Sequence, residues 1–399
     1  DFLKLRASWG QNGNCSINNF QYLSTIAFDT SNGYYFTKDK ITQTVGGYAD
    51  ILANPDVSWE TSEQLNIGLD ARFAGSRLGV TFDWFNKMTR DWLLTAPIPA
   101  VYGLNAPAVN GGDIRNSGFE LALNWDDSVG DFRYGISANA SYYKNEVTRI
   151  ANTEGIIHGD ANVLSQGTTE MYRVQVGYPV GYFYGYKTAG VFQNWDQVNN
   201  TTAKYSGAQP GDLIFVDSNG DGAISEDDRT MIGNPHPDVI IGFNLYLAWK
   251  GLDLSVTGSG AFGQQIAKSY RSFADSPLQN YTTSIFGRWT GEGTSNKLPR
   301  LTSGSHVNWQ NISDIYIEDG DYVKIQNVQI GYDFKHAFRK LPFGQVRVYV
   351  MAQNLYTFTN YSGMDPEIGY GYDHSWVSGI DLGYYPSPRT YMVGLNLKF

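Results

Sequence analysis

The chain has 399 residues, which is too long for one ordinary soluble core and suits either two domains or one large barrel. Aromatic residues make up 15% of the chain and glycines number 44, whereas charged residues make up only 17%, a balance typical of large β structures with aromatic girdles. The net charge of −10 argues against nucleic acid as a partner, and no run of about eighteen apolar residues exists that would form a transmembrane helix.

Apolar and polar residues alternate in many segments, which predicts an all-β protein. Thirteen strands are expected, several of them longer than strands of soluble domains and long enough to span a bilayer. The predicted strands lie near residues 2–10, 18–28, 60–74, 76–93, 113–127, 131–148, 168–177, 180–193, 237–249, 252–265, 320–335, 345–358 and 387–399.

The C-terminal strand carries the clearest pattern. Tyr391, Val393, Leu395, Leu397 and Phe399 fall on one face, and the polar residues between them fall on the other, because side chains alternate along a strand. An apolar face that ends in an aromatic residue is typical of a membrane-barrel strand between lipid and a wet lumen. A strand of a soluble sandwich is the alternative.

Short and long connections alternate between the predicted strands. The short ones are expected at residues 11–17, 75–76, 128–130, 178–179, 250–251 and 336–344, and the long ones at residues 29–59, 94–112, 149–167, 194–236, 266–319 and 359–386. Transmembrane antiparallel β-barrels have short periplasmic turns and long extracellular loops. The rhythm therefore predicts such a barrel, with Phe399 in the periplasm and residue 1 outside.

The start of the chain is unusual for an exported protein. Residues 2–10 already alternate as a strand, and no signal peptide precedes them. We therefore expect residues 1–399 to be a piece of a longer barrel protein.

A calcium-like loop occupies residues 217–228. It places oxygen-bearing residues at positions 1, 3, 5, 9 and 12, with Gly222 at the sharp turn and the apolar Ile224 at position 8. The predicted Ca²⁺ ligands are Asp217, Asn219, Asp221, Ala223 through its carbonyl, Ser225 and Asp228. The last position is Asp instead of the usual Glu. The alternative is an Asp- and Gly-rich turn without metal.

Other motifs carry no chemistry. The sequence GSGAFG at residues 258–263 matches a dinucleotide-binding pattern, but no βαβ unit surrounds it, so we interpret its glycines as part of a barrel strand near the rim. Cys15 is the single cysteine and has no assigned role, and no nucleic-acid or Ser/His/Asp arrangement stands out. The chain is not expected to be an enzyme.

Aromatic residues recur in the long connections, where they are expected to be exposed. They are Trp195, Trp289, Trp309, Tyr370, Tyr372, Trp376, Tyr384 and Tyr385. Aromatic faces bind sugars or peptide side chains, so Trp289, Trp309, Tyr370, Tyr372 and Trp376 are candidates for contact with a substrate or a partner. Loop packing or girdle anchoring is the alternative for each.

Eight blocks along the whole chain resemble the SusC/RagA family of TonB-linked outer-membrane transporters. They include LKLRASWGQNGN (3–14), NPDVSWETSEQLNIGLD (54–70), GGDIRNSGFELALNW (111–125), GYPVGYFYGYKTAGVFQN (177–194), PGDLIFVDSNGDGAISEDDRTMIGNPHPD (210–238), DYVKIQNVQIGYDF (321–334), VYVMAQNLYTFTNYSGMDPE (348–367) and YPSPRTYMVGLNLKF (385–399). The resemblance places residues 1–399 in the C-terminal part of the barrel.

This resemblance implies a 22-stranded barrel with thirteen strands here and nine upstream, together with a plug domain that lies outside this sequence. It also implies TonB as the energy-coupling partner, a SusD-like surface lipoprotein as a lid, a dimer of such pairs, and active import of oligosaccharides or peptides. A passive porin is one alternative, and a secreted calcium-dependent glycan-binding adhesin is another. The adhesin would bury its apolar face, whereas a barrel would turn residues such as Leu65, Phe119, Trp125 and Phe243 toward lipid.

Overall fold

The structure is a computed structural model that describes residues 1–35, 43–95, 100–163, 168–268, 282–302, 306–368 and 376–399. Twenty-one strands lie within these ranges. They are β1 (Phe2–Asn14), β2 (Ile26–Tyr35), β3 (Gln43–Ala49), β4 (Glu60–Phe73), β5 (Leu78–Thr95), β6 (Ala108–Val129), β7 (Phe132–Ile150), β8 (Ile156–His158), β9 (Tyr172–Gln175), β10 (Tyr182–Gly185), β11 (Thr188–Val191), β12 (Leu213–Phe215), β13 (Thr230–Gly233), β14 (Val239–Trp249), β15 (Leu252–Phe262), β16 (Gln265–Lys268), β17 (Ile317–Asp319), β18 (Tyr322–Asp333), β19 (Gln345–Thr359), β20 (Ile380–Asp381) and β21 (Thr390–Lys398).

Helices are few and short. They are α1 (Trp195–Asn200), α2 (Val307–Gln310) and α3 (Phe334–Ala337), with 3₁₀ turns at Ala100–Tyr102, Glu226–Asp228, Thr283–Gly287 and Asp314–Tyr316. Within the described ranges, no helix is both long and apolar enough to span a membrane.

Ten long strands form one antiparallel sheet, which dominates the fold. Its order is β1-β4-β5-β6-β7-β14-β15-β18-β19-β21. Neighbouring strands pair over many residues, as in the ladder that joins Phe2 to Arg72 and Asn14 to Glu60. The predicted all-β antiparallel architecture is confirmed, and this sheet forms part of a barrel wall.

The predicted count of thirteen barrel strands is wrong for the described residues. The segments near 18–28, 168–177 and 180–193 do not join the large sheet. β2 pairs only with β3, and β9 and β10 have four residues each, fewer than the about nine that a membrane-spanning strand needs. Tyr172 and Phe183 are fully buried, so the alternation in these segments comes from core packing.

The two faces of the large sheet differ as the alternation predicts. One face carries exposed apolar side chains, among them Leu5, Phe119 and Val393, the last with 78% of its surface accessible. The opposite face carries Arg6, Asp70 and other polar residues. We call the first the outer face and the second the inner face. Exposure of the apolar face disagrees with the adhesin alternative, which needs that face buried.

Short and long connections alternate around the sheet, but the predicted short connections at residues 11–17 and 178–179 do not join strands of this sheet. Short ones join β4 to β5, β6 to β7, β14 to β15 and β18 to β19, whereas long ones follow β1, β5, β7, β15 and β19. Because ten strands are paired, both chain ends lie at the short-connection edge. The Gly75 N–H donates to the Asp1 carboxylate at 3.1 Å, and the Phe399 ring lies 5.3 Å from that of Phe343. The prediction that residue 1 lies at the opposite edge from Phe399 is therefore wrong.

The buried core lies among the long connections. Described residues 151–163, 168–238, 263–268, 282–302, 306–321, 360–368 and 376–389 form what we call the loop layer. Its main cluster contains Met171, Tyr172, Phe183, Ile312 and Ile380, each completely or almost completely buried. The loop layer is therefore a folded body in its own right, stabilised by burial of large apolar side chains.

The GSGAFG glycines belong to β15 and its end, which confirms their interpretation as barrel-strand glycines. A Cβ at Gly258 would lie 2.3 Å from the Phe243 ring and 2.6 Å from the Lys324 carbonyl oxygen. Gly263 follows the strand with φ +85, a left-handed conformation that glycine adopts without strain.

Candidate functional site

The inner face of the sheet carries paired charges. Arg6 donates to Asp70 and Asp83, each at 2.8 Å, and Thr81 donates to Asp70 at 3.3 Å. Arg347 of β19 pairs at 2.8 Å with Asp253 of β15, and β18 lies between these two strands. Charged and hydroxyl groups in this arrangement suit a water-filled interior.

The loop layer lies on this inner face at its long-connection end. Val147 of β7 donates its N–H to the Tyr178 carbonyl at 2.9 Å, and Asn145 of the same strand accepts from the Val180 N–H at 2.8 Å. Ile114 and Val147 on the inner face pack against Val180 in a second buried cluster. The loop layer therefore partly covers the polar interior of the barrel wall.

A buried ion pair joins two distant segments of the loop layer. The Asp212 carboxylate is fully buried and accepts from Arg300 Nε at 2.7 Å. Asn308, also fully buried, donates to the same carboxylate oxygen at 2.9 Å and accepts from the Leu213 N–H at 3.1 Å. These bonds connect residues near 212 with residues near 300 and 308.

The predicted loop aromatics are not all exposed. Trp309 is 7% exposed and belongs to the interior of the loop layer, so the expectation that it is exposed is wrong. Trp289 packs against the cluster of Tyr186 and Phe215, and Trp376 packs edge-on against Tyr172 with a ring separation of 5.4 Å. Large rings in a folded loop contribute to its core, and sequence alone does not separate this role from ligand contact.

Other loop aromatics face solvent. Trp195 and Tyr385 are exposed, as predicted, and so is Tyr384 to a smaller extent. Phe286 is 81% exposed and is a further exposed aromatic residue, which no pattern in the sequence indicates. Tyr370 and Tyr372 lie outside the described residues.

The acidic loop at residues 217–228 folds around its own backbone. Asp217 accepts from the Gly220 and Gly222 N–H groups at 2.7 and 2.8 Å. Asp228 is fully buried and accepts from the N–H groups of Ser218 and Ser225 at 2.8 and 2.7 Å. Burial alone would raise the pKa of Asp228, but these backbone donors outweigh it and lower the pKa below its ordinary value.

The other predicted calcium ligands lie on the same loop. Asn219 accepts from the Asp221 N–H at 2.9 Å, Asp221 accepts from the Ala223 N–H at 2.8 Å, and Ser225 caps the following 3₁₀ turn. Across the part of the chain that the structure describes, no three acidic, His or Cys side chains are gathered as a metal site. Calcium binding at this loop therefore stays a prediction.

The calcium prediction has a direct test. In about 1 mM Ca²⁺, a concentration sufficient for most weak extracellular sites, protease cleavage within residues 194–236 should be slow. Adding a chelator should accelerate this cleavage. Asp217→Asn together with Asp221→Asn should abolish the difference, whereas Asp227→Asn, an exposed acid in the same loop, should preserve it. Equal cleavage of the unmodified protein with calcium and with chelator would make the loop a metal-free turn.

A β-bulge in β5 changes the direction of one large side chain. The pairing with β6 shifts between Thr89 and Trp92, and Asp91 adopts a left-handed φ of 53°. The extra residue turns Trp92 toward the inner face, where it packs against the buried cluster that contains Ile114 and Val147. The sequence does not reveal the bulge, because a bulge and the end of a strand interrupt the alternation in the same way.

A cavity of about 450 Å³ lies where Trp92 meets the loop layer. Its lining combines inner-face residues, among them Glu60 and Asn116, with His236 and Trp376 of the loop layer. Burial lowers the pKa of His236, so its imidazole is neutral at pH 7.

An exposed apolar outer face, a polar inner face and alternating connections define this chain as part of the wall of an outer-membrane β-barrel. Residues 1–260 match the family described as TonB dependent receptor-like, beta-barrel. The chain belongs to that family, and this membership confirms that it is not an enzyme.

Curated relatives align along the whole chain. TonB-dependent receptor P3 of Formosa agariphila is 33% identical over 403 residues, which cover 99% of this chain and 39% of that protein. TonB-dependent receptor SusC of Bacteroides thetaiotaomicron is 27% identical over 405 residues, which cover 100% of this chain and 37% of that protein. The chain thus spans about two-fifths of the length of these relatives.

Solved structures of RagAB share the fold. The chain matches the structure of the RagAB peptide importer in the open-open state with a TM-score of 0.77 and 25% identity, over 100% of this chain and 40% of that chain. The structure of the RagAB peptide transporter gives a TM-score of 0.78 at 24% identity. The resemblance to SusC/RagA-type receptors is confirmed.

Proposed function

We propose that this chain forms part of a TonB-dependent importer that carries oligosaccharides or peptides across the outer membrane. The observation that carries the proposal is the loop layer folded against the polar inner face through Val147, Asn145 and Val180. A folded body at the mouth of a barrel supports selective uptake better than free diffusion. The matched SusC is a TonB-dependent receptor by name, and the matched RagAB is described as a peptide importer.

The orientation follows from the connections. The long ones and the loop layer would face the outside, and the short ones with Phe399 would face the periplasm. Energy would reach the barrel through TonB acting on a plug domain. The greater length of the relatives leaves room for such a domain, since the chain spans 37% to 39% of them.

A SusD-like surface lipoprotein would cover the barrel as a lid, and two such pairs would associate. Exposed aromatic residues of the loop layer, Phe286, Trp195 and Tyr385, offer large apolar contact areas to that partner. Trp289 and Trp376 remain candidates for substrate contact, because they are only partly buried.

The lid proposal predicts a change in co-purification. Phe286→Ala combined with Tyr385→Ala should lower the amount of a SusD-like protein that co-purifies with the barrel, because two large contacts are lost. Phe338→Ala is the matched control, since Phe338 is also exposed but lies in the short connection between β18 and β19. An unchanged yield of partner with the double variant would remove these residues from the interface.

Uptake separates this function from a passive porin. Cells that lack the gene should fail to take up a labelled substrate that wild-type cells import at concentrations far below those needed for diffusion, and the intact gene should restore uptake. The porin alternative predicts instead that uptake rises linearly with concentration and that many small solutes pass equally well.

A further inference from the structure

The bulge in β5 is held in place by charged residues. The strained residue Asp91 donates its N–H to the Asp113 carboxylate at 2.9 Å, and its own carboxylate accepts from Arg149 at 2.8 Å. Arg149 also donates to Asp113 at 2.9 Å, so one guanidinium fixes both acids. Backbone strain that is fixed in this way commonly occurs at binding sites. Here its consequence is the inward position of Trp92.

Trp92 forms one wall of the cavity of about 450 Å³, and Trp376 of the loop layer forms another. This volume lies within the range of about 300–1,000 Å³ that is typical of small-ligand sites. The cavity lies between the barrel wall and the loop layer, on the inner face. It therefore lies on the side of the barrel wall that would face the route of the proposed importer.

The polar groups of the cavity are oriented by their neighbours. Asn145 accepts from the Val180 N–H and donates to the Asn116 carbonyl oxygen, both at 2.8 Å. Because the oxygen of Asn116 is engaged in this bond, its NH₂ group is the part of the side chain that would bind a ligand. His236 Nε2 lies 2.7 Å from the Val180 carbonyl oxygen and must donate to it. The neutral ring therefore presents Nδ1 as an acceptor.

The charge of the described lining disfavours one class of ligand. Glu60 is the single charged side chain among the described residues that line the cavity, and it accepts from the Leu93 N–H at 3.1 Å. No Lys or Arg belongs to this described lining. An anionic sugar or a peptide C-terminus would therefore lie near the Glu60 carboxylate, and the repulsion between like charges disfavours such a ligand at this part of the cavity.

We propose that this cavity is a subsite for one neutral pyranose ring of an oligosaccharide. Trp92 provides the stacking surface, the Asn116 amide donates to a ring hydroxyl, and the His236 Nδ1 accepts from one. Asp91, Asp113 and Arg149 are positioning residues that hold Trp92. The inference rests on the proposed import function and names a substrate class for it.

Calorimetric titration of the complete gene product in detergent tests the subsite. The probes are maltohexaose, xylohexaose, mannohexaose and laminarihexaose, with trigalacturonate and pentaalanine as the charged and peptide comparisons. At least one neutral hexasaccharide should bind. Trp92→Ala should weaken that binding about 30-fold, the effect of losing a central aromatic contact, and Asn116→Ala about fivefold.

Two variants control for folding. Trp84→Ala removes an outer-face tryptophan from the same strand and should leave binding unchanged. Trp92→Phe keeps an aromatic ring in the cavity and should retain most of the affinity. Trp92→Ala could fail to fold, which loss of heat-modifiable migration in a gel would show. In that case the affinities of Trp92→Phe and Asn116→Ala for the hexasaccharide decide whether the subsite exists.

Three outcomes would overturn the subsite: no binding of any neutral hexasaccharide, tighter binding of pentaalanine or trigalacturonate, or unchanged affinity in folded Trp92→Ala.

Uptake by cells tests the import function separately from the subsite. If the variants lose binding to purified protein but wild-type cells import nothing, the import function is wrong and the subsite stands. If cells import a substrate without any contribution from Trp92, the subsite is wrong and the import function stands.

Discussion

Phe82→Arg is expected to lower the free energy of unfolding of the barrel strongly. Phe82 lies on the outer face of β5, between Leu69 and Leu121 on the neighbouring strands and 6.2 Å from the Phe119 ring. An arginine there would enter the apolar band, at a cost of about 2–4 kcal/mol near the bilayer midplane. The measurement is the free energy of unfolding in urea after refolding into lipid vesicles.

Thr81→Arg is the matched control for this variant. Thr81 is the preceding residue of the same strand, but it faces inward and donates to Asp70 at 3.3 Å. A new cation there would lie near Asp70 and Asp83, so stability should change little. Equal losses in both variants, or a loss only in Thr81→Arg, would mean that the outer face does not contact lipid.

Arg300→Met is expected to open the loop layer while leaving the barrel wall assembled. The fully buried Asp212 would lose its cation, and removing one partner of a buried pair costs about 3–5 kcal/mol. Arg300 is partly exposed, so the lower end of that range applies. Limited proteolysis should cut residues 205–213 and 295–310 faster, without a change in heat-modifiable migration of the barrel.

Two further variants make this result specific. Arg300→Met combined with Asp212→Asn should recover part of the resistance, because the uncompensated charge is removed. Arg288→Met removes a loop-layer arginine that donates to the Ile285 carbonyl at 3.0 Å and should have little effect. If the double variant were cleaved faster than Arg300→Met, the ion pair would not be what holds these segments together.

The strands of the barrel wall could be predicted because each strand carries its own alternation of apolar and polar residues. Alternation in segments such as Tyr391 to Phe399 reports the contrast between lipid and lumen, and it appears in every strand of the ten-stranded sheet. The structure also shows alternating short and long connections in this sheet, whereas the predicted count of thirteen barrel strands was wrong. Four-residue strands such as β9 and β10 show the same period, because tertiary packing also favours alternating large residues.

The candidate site was less predictable for two physical reasons. Trp309 and Phe286 lie in the same long connection after β15, yet one is buried and the other is exposed, because burial depends on which distant segments meet. The inward position of Trp92 depends on a bulge at Asp91 that is fixed by Arg149, 58 residues away. A carboxylate beside a tryptophan at the end of an alternating strand is the only local signal of this arrangement.

Energy dependence of uptake tests the import function most directly. Cells that carry the intact gene are given a labelled substrate, and the protonophore CCCP is added while uptake is being recorded. The proposed importer predicts that accumulation stops when the proton-motive force collapses, and that a strain without TonB never accumulates the substrate. Uptake that continues at the same rate in both conditions would contradict active import and would favour a passive pore.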